Sequence, residues 1–148
     1  MLANVMTDDE LIEQLEDASI SPDCFHHADH VRAAFSYLCR YPPLDALQRF
    51  ASALQRFAAA MGKADRYHET ITWAYVFLVR ERMTDPAQAW TDFAAANPDL
   101  LDWKNSILKR YYQDETLASD RARNIFILPD LLEAPISMAT AKEVLRGL

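Results

Sequence analysis

Glycine is nearly missing from this 148-residue chain, which has two. Strand-rich folds spend glycine on tight turns and bulges, whereas helical folds can connect their elements through Pro, Asp and Asn, so the shortage argues for helices. Cysteine is just as scarce: Cys24 and Cys39 form no C-x-x-C pair and read as small apolar residues rather than a disulfide. Long apolar runs are absent. The longest, Trp73 to Val79, falls far short of the ~18 residues a membrane span needs, so no membrane partner is expected. Positive charge is in deficit, with 15 Lys+Arg against 22 Asp+Glu and a net charge of −7, which disfavours nucleic acid as a partner. No basic segment precedes Asp8, Asp9 and Glu10, so no signal peptide is readable and a cytoplasmic protein is expected.

The residues present are those of an ordinary globular domain, 51% hydrophobic and 25% charged. The length suits one domain spanning 1–148, and the expected fold is an all-α bundle of about six to eight helices. Thr7 and Glu10 have capping-box spacing and open a helix over 8–17. Val31, Ala34, Phe35 and Leu38 recur at helical spacing and place a second helix over 26–40. Tyr41-Pro42-Pro43 breaks it, and Leu44 through Met61 mark a long third helix that Gly62 is suited to end. A fourth helix restarts near Asp65, with Trp73, Val76 and Phe77 widening its apolar surface, and the second and fourth helices are expected at the centre. Asp85-Pro86 and Asn97-Pro98 predict helices over 86–96 and 98–112. A short helical stretch over 115–124, an irregular segment from Pro129 to Pro135 and a last helix from Ser137 complete the expectation.

All four histidines fall in two clusters, each opening an apolar helix. His26, His27 and His30 begin the second helix, where the i, i+3 and i, i+4 spacings let either pair hold one metal ion. His68 shares a helix face with Ile71, Thr72 and Tyr75, so its imidazole should point inward and need a partner. H-E-x-x-H and paired E-x-x-H signatures are missing, and three histidines completed by Glu69, Asp29 or water would suit zinc, iron, nickel or copper. Arg110 and Arg123 could clamp a carboxylate or phosphate. Equally, they could pair with nearby surface acids. Ser119 lacks the G-x-S-x-G setting of a nucleophile.

These residues follow a recurrent pattern: Phe25, His27 and His30; then Tyr67 to Thr70 with Thr72; then Tyr112, Leu117, Ser119, Ala122 and Arg123; then Pro129-Asp130. In this the chain resembles, over about residues 25–135, a small uncharacterised bacterial all-helical family. The resemblance carries no reaction. It favours His27 and His30 over His26 and groups Glu69, Ser119 and Arg123 with them. The expected function is metal binding through His27, His30 and His68, extending to a metal-dependent enzyme on a small anionic molecule with Glu69 as acid/base or fourth ligand and Arg123 orienting the substrate. The alternatives are a non-catalytic binder of a small molecule or metal, and an interaction module whose histidines are structural.

Overall fold

The computed structural model describes residues 5–131 and 143–147, and among these the chain is all-helical. The sequence expectations for Leu132 to Pro135 and for the start of a last helix at Ser137 lie outside the described residues. Helix α1 spans Asp8–Glu16, α2 His27–Arg40, α3 Pro43–Ala60 and α4 Glu69–Arg82; the shorter α5, α6, α7 and α8 cover Trp90–Ala96, Pro98–Leu101, Asp114–Leu117 and Asp120–Asn124.

Helix α2 is the hub, packing against α1, α3, α4, α5 and α6. The reason lies in its sequence. Val31 and the run Ala33 to Leu38 are all buried, so every side of its middle needs a neighbour. Tyr37 is wholly buried and satisfies its hydroxyl by donating to Glu16 of α1 at 2.8 Å. Helix α4 packs on α2, α3, α6 and α8. Its Val76, Leu78 and Val79 are buried, but Phe77 is 44% exposed, so the apolar band is narrower than its composition suggests.

Local side-chain hydrogen bonds explain where helices stop. Thr7 accepts from the Glu10 amide at 3.1 Å and starts α1, while Gly62 follows α3 with φ of 69°, a left-handed conformation glycine takes without a Cβ penalty. The stretch 86–96 is helical only from Trp90. Asp85 accepts from the Ala87 amide and closes a turn that delays the start. The stretch 98–112 is not one helix either: α6 ends at Leu101, and a 3₁₀ turn follows at Ile107–Arg110. Asp102 accepts from the Asn105 amide and Ser106 from the Leu108 amide, competing with the helical ladder and leaving residues 102–106 as a loop. Ser119 likewise splits the 115–124 stretch by capping α8.

Two anchors hold the outer pieces to α4. Arg82 grips Asp99 through both terminal guanidinium nitrogens, at 2.6 and 2.8 Å, and fixes α6. Thr70, wholly buried, holds the chain beyond α8: its hydroxyl lies 2.7 Å from the Ala122 carbonyl and 2.8 Å from that of Ile125, and it accepts from the Ile127 amide at 3.1 Å. Cys24 and Cys39 are free and exposed rather than small core residues. No helix among the described residues is long and apolar enough to cross a membrane.

Candidate functional site

A cavity of about 820 Å³ opens between α2, α3 and α4. Helix α4 contributes one stripe: its N-cap His68, then Ile71, Thr72 and Tyr75, at the i, i+3, i+4, i+7 spacing of a single face. Helix α2 contributes His27, His30 and Val31 from its first two turns. From α3 come Phe50, Leu54 and Phe57, and from its C-cap Met61, the apolar bulk of the wall. The loop after α6 lays Trp103 on the imidazole of His27, ring centroids 4.9 Å apart, and Tyr75 meets the same imidazole edge-on at 4.8 Å.

His27, His30, His68 and Arg123 thus line one cavity, although they come from three regions of the chain. Their ring nitrogens are differently committed. His68 Nε2 lies 2.7 Å from the Leu117 carbonyl, which only accepts, so this nitrogen carries the proton. His68 Nδ1 accepts from the Ile71 amide at 3.1 Å and caps α4, which leaves the ring no free nitrogen. His27 donates from Nε2 to the Leu100 carbonyl at 2.9 Å and retains an uncommitted Nδ1. His30 stacks on Phe25 and has no hydrogen-bond partner among the described residues.

Burial holds all three imidazoles below the usual histidine range, because a low-dielectric setting disfavours the cation. For His30 the value falls to about 4, burial acting first and the charge of His27 second. The rings are therefore neutral near pH 7. Positive charge at the cavity comes instead from Lys63, Arg66 and Arg123, against Asp23 as the one carboxylate lining it among the described residues. None of the three cations forms an ion pair among the described residues. Arg123 donates to the Asp65 carbonyl at 2.8 Å, and its charge adds to the downward push on His68.

Glu69 is not brought to the cavity. Its Oε1 accepts from the Tyr67 hydroxyl and from Trp73 Nε1, both at 2.7 Å, so the expected acid/base residue is a clamp behind the lining Tyr67. Ser119 donates to the Thr116 carbonyl and accepts from the Ala122 amide, a capping role, and Asp130 accepts from the Gln113 amide and from Thr116. Arg110 does not line the cavity. His26 caps α2, its amide donating to Asp29 at 2.9 Å. Sequence reasoning missed Lys63, Arg66 and Trp103; the first two follow Gly62, where the chain must turn from α3 into α4, and Trp103 follows the Asp102 turn signal. Among the described residues no group of three His, Cys, Asp or Glu side chains is arranged to hold a metal ion. No family model, curated protein or solved structure matches the chain.

Proposed function

We propose that this chain binds a small amphipathic anion, a carboxylate on an apolar body, in the cavity between α2, α3 and α4. The carrying observation is that Lys63, Arg66 and Arg123, none in an ion pair among the described residues, line one cavity of a protein whose net charge is −7. Neutral imidazoles and the apolar face of α3 supply the rest of the lining, so a fully polar ligand would leave that wall unmatched. The volume falls within the roughly 300–1,000 Å³ of small-molecule sites. The reading is one of binding. Glu69, which a proton-transfer role would need in the cavity, is held elsewhere by two donors.

Octanoate is a suitable probe, measured by calorimetry. Saturable binding is expected, weakened about ten- to a hundredfold by Arg123→Gln, because a charge-assisted contact is worth about 1.5–3 kcal/mol, and weakened also by raised salt. Octanol should bind more weakly than octanoate. Equal binding of the alcohol removes the anionic requirement, and no saturable binding of octanoate ends the reading.

A divalent metal on His27, His30 and His68 is the second reading. In its favour, all three line one cavity, and His27 has the tethered-ring arrangement of a ligand, one nitrogen donating to a carbonyl and the other open. Against it, His68 would have to break two hydrogen bonds to offer a nitrogen. Elemental analysis of the purified protein and zinc, iron, nickel and copper titrations test it. Near-stoichiometric metal lost in His68→Ala would place this reading first.

A further inference from the structure

Trp103 is the cavity residue whose position the packing of the helices does not explain. The chain's other tryptophans, Trp73 and Trp90, are packed against the core. Trp103 stands instead in the 102–106 loop, exposed, between the polar Asp102 and Lys104, yet it lines the cavity with its indole on His27. The loop does not carry it loosely. Asp102 and Ser106 pin its two ends, and Ser106 is bonded in turn to the Tyr75 hydroxyl at 2.8 Å, which ties the loop to α4. A large aromatic surface is thus held at the cavity and left in contact with water, where it gains nothing from burial.

Resting on the anion-binding reading, we infer that the apolar body of the ligand is a flat aromatic ring and that Trp103 is a surface on which it packs. The rest of the lining suits a ring. Tyr75 stands 6.4 Å from the indole, and Phe25, His30 and Phe57 form a second aromatic group, Phe25 stacked on His30 at 4.1 Å and edge-on to Phe57 at 5.3 Å. Against such walls a saturated body gains only what its buried area gives. An aromatic ring adds offset-stacked or edge-to-face contacts, in which the negative face of one ring meets the positive edge of another. Lys63, Arg66 and Arg123 supply the partners for the charge, so a ring bearing only a cation fits poorly. The ligand class is thus an aromatic carboxylic acid.

The test compares naphthoate with its fully hydrogenated counterpart, decahydronaphthoate, by calorimetry. The two share charge and carbon skeleton, and the saturated acid is the more apolar, so a wall offering apolar area alone would favour it. Here naphthoate is expected to bind about two- to tenfold more tightly, the worth of one good aromatic pair. Trp103→Leu, a change at an exposed loop position that keeps an apolar side chain, should remove that preference and leave decahydronaphthoate affinity unchanged. Trp103→Phe should retain part of it. Equal or tighter binding of the saturated acid by the wild type overturns the aromatic class, and a preference that survives Trp103→Leu undiminished overturns the role of Trp103. If neither acid nor octanoate binds, the anion-binding reading itself falls; if both acids bind and only the aromatic preference is missing, that reading stands alone.

Discussion

The imidazole of His30 lies against the ring of Phe25, centroids 4.1 Å apart and planes inclined by 23°. Burial beside that ring, with His27 nearby, holds the imidazole in its neutral form, which has a consequence for stability.

Acid should destabilise the protein before its carboxylates titrate. The folded pKa of His30 is about 4, below the ~6.5 of an unfolded histidine, so between these values the unfolded chain holds the extra proton. Stability is therefore fully present above about pH 6.5 and declines as pH falls toward 4; His27 and His68 act in the same direction. Urea midpoints measured from about pH 7 to about pH 5 should fall, and His30→Phe should flatten the slope without abolishing it. An unchanged slope in the variant would show that His30 titrates normally.

Thr70→Val should cost about 1–3 kcal/mol, because the Ile127 amide and the carbonyls of Ala122 and Ile125 lose their shared partner. Hydrogen exchange at Ile127 should accelerate more than exchange in α2. Uniform acceleration would mean that Thr70 supports the whole core rather than this one attachment.

His68→Ala should lower stability by about 1 kcal/mol through loss of the α4 cap, with zinc affinity unaltered. A zinc site that vanishes with this substitution would contradict the capping assignment.

Gly62→Ala should destabilise by about 1–2 kcal/mol, the cost of a left-handed non-glycine residue. No heavy atom lies within 4 Å of the Cβ position, so the effect should appear in unfolding free energy and leave octanoate affinity unaltered. A larger loss would imply displacement of Lys63 and the cavity rim.

The long helices were legible because their apolar residues recur every three to four positions: α2 begins one residue from its expected start, and α1 and α3 each end within a residue of theirs. The 98–112 stretch was not, because Asp102 and Ser106 redirect the backbone through hydrogen bonds that leave no mark on hydrophobic spacing. Likewise the gathering of His27, His30, His68 and Arg123 was suggested by clustering and resemblance, but which nitrogens stay free depends on the carbonyls of Leu100 and Leu117, distant in sequence. The placement of Glu69 outside the cavity lining was hidden for a related reason. Its donors, Tyr67 and Trp73, sit two and four residues away, and spacing alone does not say that both turn toward it.

Trp103 covers His27 from the loop after α6, not from a helix of the bundle, and it is 53% exposed. That loop is held at its two ends by its own side chains, Asp102 and Ser106. The wall it forms can therefore be exchanged, lengthened or reshaped through substitution at a few positions while α2, α3 and α4 keep their packing. Under the proposed binding role, selectivity can drift in descendants of this chain, or be redirected by design, at little expense to the scaffold that folds it.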